Sequence, residues 1–308
     1  MKNFCTVSDI NYLHLALSMH ESLSKSSTEY TLYYFCVDEK TFDFLSDYDS
    51  RIVPISISQL CETNEHLKKL KKVEASFEAK NVSALEKANG DDINDANQWQ
   101  FLYSLSTFSI NYCLRELNLD HIMYVDADIF FFEDFMYAFN DVEDKSVGVV
   151  EHRIVYPDPH PSGQFNVGIV YFKNDITGLG ASDFWLECLK DPNNEFASEY
   201  GTCGDQKYLE LVYEGSEEDA VIIGNTCGHL APWNLSFHEY DDEMIVWKGN
   251  RQKLVYWHFS SFVPDFDNDS YILARRHLVG DVNIPLLKGK VKLYFDTVKK
   301  FRTLIGDM

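Results

Sequence analysis

Residues 121–135 read HIMYVDADIFFFEDF, an apolar and aromatic run that carries two aspartates just past its middle. The residues before Ala127 read as a buried strand, and 130–132 are more apolar still. A buried carboxylate without a partner costs several kcal/mol, so Asp126 and Asp128 call for a metal ion, a cationic ligand or a hydrogen-bond network. Side chains alternate faces along a strand, which predicts that both carboxylates point the same way and converge on one ion.

The segments around this run alternate between short strands and helices. NFCTV (3–7) leads into a stretch where Tyr12, Leu15, Ala16, Met19 and Leu23 share one helical face. YTLYYFCV (30–37) and RIVPIS (51–56) read as the next strands. Residues 61–98 are polar and rich in Lys, Glu and Asn, which predicts a surface helix with a loop (NGDDINDAN). Phe101, Leu105, Phe108 and Tyr112 then recur at helical spacing just before the aspartate strand. This order predicts a mostly parallel sheet with helices on both faces. The second half adds strands at 146–152, 165–172, AVIIG, EMIVW and KLVYWHFSSF. Helices are predicted at 182–191 and 204–213, the latter with Asp205 as its N-cap. With 308 residues, 45% of them hydrophobic, and no repeat or linker, the chain predicts one continuous α/β domain over 1–286. Ligands of open α/β sheets bind at the carboxyl ends of strands, where Asp38, Asp128 and the 6–12 turn all fall.

The charge balance, 27 basic against 49 acidic residues or −22, argues against nucleic acid as a partner, because phosphate binding rests on Lys and Arg. Seven cysteines, an odd number without a CxxC, read as reduced core residues of a cytosolic protein. MKNFCTVSDIN has no apolar segment long enough for a signal peptide. No apolar stretch approaches the ~18 residues of a membrane span. A cytoplasmic protein is expected.

With 49 acidic residues in 308, chance alone supplies roughly 8 acidic-x-acidic pairs, so the apolar frame, not the spacing, is informative. Hard oxygen ligands suit Mg²⁺ or Mn²⁺, which bind through one or two carboxylates plus substrate phosphates. The alternative is a strand-end turn with solvated aspartates.

YVDADIFFFEDF resembles the DxD strand of GT-A glycosyltransferases, nucleotide-diphospho-sugar transferases akin to glycosyltransferase family 8. FCTVSDINYLHLALSMHESL resembles the family's N-terminal nucleotide-binding strand, turn and helix. FNVGIVYFKND resembles the F-N-x-G strand after DxD, GDQKYLE the downstream Asp-Gln helix, and WHFSSF the terminal strand with a histidine. The resemblance covers most of residues 3–262. It implies a GT-A fold and a metal-dependent transfer of a hexose from a nucleotide sugar, a UDP-sugar first, with retained anomeric configuration. The acceptor it implies is a glycan hydroxyl, of the surface-polysaccharide or lipopolysaccharide type. It also divides the domain into a nucleotide-binding half (1–140) and a sugar and acceptor half (141–286).

Asp126 and Asp128, flanking Ala127, are the implied metal ligands, with His258 third by position. A core histidine between Trp257 and Phe259 is the alternative. The family's terminal His-x-x-Gly-x-x-Lys-Pro-Trp is absent here, so the phosphate-binding cation is open among Lys207, Arg153, Arg275 and Arg276. Thr6, Ser8 and Tyr12 end the first strand, where free N–H groups and hydroxyls can hold a nucleotide and Tyr12 can stack on its base or pack on Leu15. Asn166 and Gly168 open a strand, Gly168 for close approach or a bulge and Asn166 for a sugar hydroxyl. Asp205 and Gln206 are candidates for donor-sugar contact. Asp205 and Glu151 are candidate general bases, a role that would favour inversion. Trp257 and PWNL (232–235) offer faces for a sugar ring.

Two rival functions remain. A sugar-phosphate nucleotidyltransferase would want a Gly-rich, basic loop after the first strand, and VSDINYLHL has neither feature. A non-catalytic glycan- or nucleotide-binding module is the second. Finally, residues 287–308 form a basic amphipathic helix. It reads either as a peripheral membrane contact or as a terminal helix docked on the domain.

Overall fold

Four short apolar segments, β1 (Lys2–Ser8), β2 (Tyr30–Cys36), β3 (Ile52–Ser56) and β4 (His121–Val125), lie side by side and parallel. β6 (Val147–Glu151), β7 (Phe165–Lys173) and β8 (Ala220–Ile222) extend them to a seven-stranded sheet in the order β3-β2-β1-β4-β7-β6-β8. β7 runs antiparallel to both neighbours, so the sheet is mixed but mostly parallel. The computed structural model describes residues 1–26, 28–76, 96–154, 163–191, 205–274 and 278–306. Residues 89–95 of the NGDDINDAN loop, Cys203, Arg275 and Arg276 lie outside them, and the loop's last two residues, Ala96 and Asn97, open a helix.

Both faces of the sheet are covered. α1 (Leu13–Leu23) and α6 (Met136–Asp141) pack one face with Phe4, Leu32 and Met123. α5 (Ala96–Arg115), α7 (Ile176–Lys190) and α8 (Tyr208–Gly215) cover the other, with Phe35, Tyr124 and Phe172. α2 (Glu39–Leu45), α3 (Ile57–Thr63) and α4 (Glu65–Ser76) complete the first half. α7 starts six residues before the stretch that reads as helical, because Asp175 caps it by accepting from the Gly178 N–H at 2.9 Å. α8 starts later than expected, at Tyr208, and Lys207 is its N-cap. Asp205 therefore sits in the turn before the helix, not at its cap.

The largest departure is at 121–135. The run is two strands in two different sheets, β4 and then β5 (Ile129–Phe131), with a turn between them. β5 pairs antiparallel with β12 (Asn250–His258) in a second, smaller sheet that also holds β9 (Gly228–Leu230), β10 (Glu239–Asp241) and β11 (Met244–Trp247). A hairpin, β13 (Val263–Asp265) and β14 (Ser270–Ile272), follows.

The C-terminal helix α9 (Pro285–Ile305) buries Leu287, Val291, Tyr294, Phe295, Val298, Phe301 and Ile305, and it packs along α1. The stripe that a lipid surface would need is covered by the protein itself. Three of its cations are paired: Lys292 with Asp296, Lys299 with Asp269, and Lys300 with Glu21. Among the described residues no helix is long and apolar enough to cross a membrane.

Candidate active site

Asp126, Ala127 and Asp128 occupy the turn where the chain leaves the large sheet for the small one. Each sheet holds one side of it. The Asp126 N–H donates to the Gly168 carbonyl of β7 at 2.9 Å, and the Phe259 N–H donates to the Asp128 carbonyl at 2.9 Å. The Ile129 N–H closes the turn on the Asp126 carbonyl at 3.2 Å. The two carboxylates thus converge through a turn and not through strand alternation.

His258 ends β12 opposite Ile129, a register that brings its ring to the turn. Its Nε2 lies 3.1 Å from Asp128 Oδ1 and 3.6 Å from Asp126 Oδ2. The opposite nitrogen, Nδ1, donates to Asn166 Oδ1 at 3.1 Å, since that oxygen can only accept. Asn166 Oδ1 also accepts from the Gly168 N–H at 2.8 Å, and its Nδ2 donates to Gln206 Oε1 at 2.8 Å. Gly168 is small for a physical reason. A Cβ there would stand 2.6 Å from both Asn166 Oδ1 and His258 Nδ1. The close approach expected of this glycine is that of the histidine ring.

The electrostatics are those of crowded acids. Burial and the charge of Asp128 raise the Asp126 pKa against the opposing His258 and the Tyr124 hydroxyl, which donates to Asp126 Oδ1 at 2.7 Å. Burial disfavours the His258 imidazolium, but Asp128, by charge and hydrogen bond, and Asp126 outweigh it and raise its pKa. Burial pushes Asp205 up to about 7, opposed by the Ser106 hydroxyl that donates to its Oδ2 at 3.0 Å and assisted by the charge of Asp126.

A divalent cation fits this donor set. Two carboxylates and one imidazole present ligand atoms that lie within 4.8 Å of one another, whereas atoms bound to one small ion at ~2.1 Å span at most ~4.2 Å. Small side-chain shifts close that difference. The Asn166 bond fixes the tautomer that leaves Nε2 free to ligate. The negative excess, two carboxylates against one imidazole, is the charge a cation neutralises.

The other expected residues divide. Tyr12 is the N-cap of α1 and 45% exposed, whereas Leu15, Ala16 and Met19 are buried. Burial, then the charges of Asp128 and Asp9, raise the pKa of its hydroxyl. Thr6 is fully buried, and the Ser8 hydroxyl bonds Tyr34, so neither hydroxyl faces the open edge. Asp38 caps α2 through the Thr41 N–H at 2.9 Å and accepts from the Ile10 N–H at 2.7 Å; it braces the 9–12 turn. Ala127 is buried. Glu151 ends β6 and binds His229 through its carbonyl.

Two of the four cation candidates are committed elsewhere. Arg153 is buried, donating to Gln252 Oε1 and the Gly224 carbonyl, both at 3.0 Å. Lys207 pairs with Glu210 at 2.7 Å. Trp257 is fully buried against Phe259, whereas Trp233 is partly exposed, 5.3 Å from the His258 ring, with its Nε1 donating to the His152 carbonyl at 3.1 Å. Tyr124 was a legible partner, because positions 124 and 126 share a strand face. Ser106 had a weaker signal, one of several hydroxyls buried along an otherwise apolar α5.

No family model matches the chain. Uncharacterized protein YfnF of Bacillus subtilis (strain 168) is 24% identical over 280 residues, which cover 84% of this chain and 81% of that protein. Uncharacterized protein YfnD of the same organism is 22% identical over 270 residues, 84% of this chain and 78% of its own. Among solved structures, mouse xyloside xylosyltransferase 1 in its apo form superposes with a TM-score of 0.52 at 14% identity, over 83% of this chain and 97% of that one. The galactosyltransferase LgtC, solved with donor and acceptor sugar analogues, gives 0.51 at 13% identity, over 83% and 86%. The mixed seven-stranded sheet, flanked on both faces and interrupted by an acidic turn into a second sheet, is the GT-A glycosyltransferase fold.

Proposed function

We propose that this chain is a cation-dependent glycosyltransferase that moves a hexose from a nucleotide sugar, with a UDP-sugar as donor, to a hydroxyl of a glycan acceptor. One observation carries the reading: Asp126, Asp128 and His258 converge at the carboxyl edge of the parallel strands, in a fold whose solved examples include a xylosyltransferase and a galactosyltransferase. The leaving group of such a donor is a diphosphate, and negative charge builds on it as the glycosidic bond breaks. A Mn²⁺ or Mg²⁺ ion held by Asp126, Asp128 and His258 would offset that charge in the transition state.

The chain's own groups bind and orient. Asn166 keeps the His258 ring in place and turns Gln206 by taking its carbonyl oxygen. Gln206 Nε2 has no hydrogen-bond partner among the described residues and donates to the donor sugar. Tyr12 presents its ring to the base, and Trp233 offers a face to a sugar ring. With a pKa of about 7, Asp205 holds both protonation states near neutral pH and is the acid–base carboxyl of the site.

A screen of nucleotide sugars with Mn²⁺ tests the reading, with melting temperature and nucleotide release as readouts. One donor is expected to stabilise the fold only with the cation present, by about 2.7 kcal/mol at 100 times its Kd, and to release its nucleotide slowly without acceptor. Stabilisation without any release would mark a binding module. No stabilisation by any donor would sink the proposal.

A further inference from the structure

Tyr124 stands in the interior of the large sheet and is only 4% exposed. Its backbone is held from both sides, opposite Cys5 of β1 and Val170 of β7. The hydroxyl reaches two residues along the chain and donates to Asp126 Oδ1 at 2.7 Å. Asp126 is therefore fixed at two points, because its N–H already bonds the Gly168 carbonyl. Its second oxygen, Oδ2, is the one that faces the histidine, 3.6 Å from His258 Nε2. One oxygen of this carboxylate anchors the side chain, and the other is left for a ligand.

That division bears on which cation fits. Ca²⁺ gathers roughly six to eight oxygens at about 2.3–2.6 Å and can take both oxygens of one carboxylate. Mg²⁺ demands near-octahedral geometry at about 2.0–2.1 Å. An oxygen that already accepts from a phenol is the poorer second ligand, so Asp126 offers a single oxygen. The His258 nitrogen weighs the same way, since Ca²⁺ takes oxygen ligands.

We infer that Tyr124 is a positioning residue that sets the cation selectivity of the site: it holds Asp126 as a one-oxygen ligand, which admits a small octahedral ion and disfavours Ca²⁺. The inference rests on the reading of Asp126, Asp128 and His258 as a divalent-cation site. Removing the hydroxyl frees Oδ1, lets the carboxylate turn, and opens the two-oxygen mode that Ca²⁺ uses. Groups that orient metal ligands typically contribute roughly 10- to 100-fold in metal affinity.

Mn²⁺ binding to the full chain, followed by loss of the free-ion paramagnetic resonance signal and without any nucleotide, tests this with Ca²⁺ as the competing ion. The wild type is expected to bind Mn²⁺ more tightly than Ca²⁺. Tyr124→Phe should bind Mn²⁺ about 10-fold more weakly and keep its Ca²⁺ affinity, so the preference for Mn²⁺ falls by the same factor. A fall in affinity equal for both ions makes the hydroxyl a general support and overturns its part in selectivity. Wild-type affinities in Tyr124→Phe, alongside lost Mn²⁺ binding in Asp126→Asn, overturn the role of Tyr124 and leave the cation site standing. Absence of Mn²⁺ binding in the wild type overturns both. A melting curve in metal-free buffer accompanies each titration, and a phenylalanine variant without a cooperative transition makes the hydroxyl structural and overturns the inference as well.

Discussion

β12 carries a polar cluster at each end, and the two are built on opposite principles. Near its start, Gln252 and the Gly224 carbonyl accept from the Arg153 guanidinium, His238 Nε2 lies 3.4 Å from Nη1, and the Trp247 ring lies 5.6 Å away. One cation is wrapped in neutral dipoles and an aromatic face, and it is fully enclosed. At the strand's other end His258 meets two carboxylates, whose side chains are 31% and 18% exposed. A charge whose partners all come from the protein is structure. A charge excess left open at a strand edge is a site, because only something from outside can balance it.

That contrast can be broken most forcefully at Asp128. Asp128→Ala should cut glycosyl transfer more than tenfold, at least ~1.4 kcal/mol of barrier, while the metal-free melting temperature stays level or rises, since the repulsion on Asp126 is relieved. Transfer above a tenth of the wild-type rate would return the acidic turn to a solvated surface feature. Arg153→Met should do the reverse. Removing the guanidinium leaves Gln252 Oε1 unpaired in a buried setting, a loss of about 2 kcal/mol in chemical denaturation, and Mn²⁺ affinity of the folded protein should not move. A fall in affinity would show the two ends of β12 to be coupled, and the contrast would fail.

The difference between the clusters also explains what was legible. Parallel strands covered on both faces read as unbroken apolar runs, so β1, β2 and β4 stand out, and with them the edge where ligands bind. Asp126 and Asp128 stand out because charge interrupts such a run. Their turn does not, since a turn and a strand both bring residues two apart together. Arg153 looked available because sequence carries no record of burial, and its left-handed backbone (φ 53°) is a tertiary outcome. Gly168 was legible as a close approach, but what approaches, His258, comes from 90 positions away (258 − 168). Tyr294 reads only as one more apolar position of a stripe. The ring it stacks on, Phe259, is a tertiary outcome.

The smallest expected effect concerns Asp205, which shares features of both clusters: it is buried like Arg153 and acidic like Asp128. Its pKa, pushed up to about 7 mainly by burial, stands above the ~3.9 of an unfolded aspartate. Between those values the folded state binds the extra proton, so this group's contribution to stability is present at low pH and is lost as pH rises through about 7. The Ser106 hydroxyl works against that shift by donating to the carboxylate, and Ser106→Ala therefore moves the pKa further upward. If Asp205 must be ionised to act as a base, the acidic limb of kcat/KM lies near pH 7 in the wild type and moves to higher pH in the variant. The displacement should correspond to the ~0.5–1.5 kcal/mol of one hydrogen bond, about one pH unit or less, with the limb otherwise unchanged in shape. A pH–rate profile of the two proteins decides it. An acidic limb that does not move on removal of Ser106 would separate Asp205 from the rate and leave its carboxyl, like the Arg153 guanidinium, a buried group serving the fold.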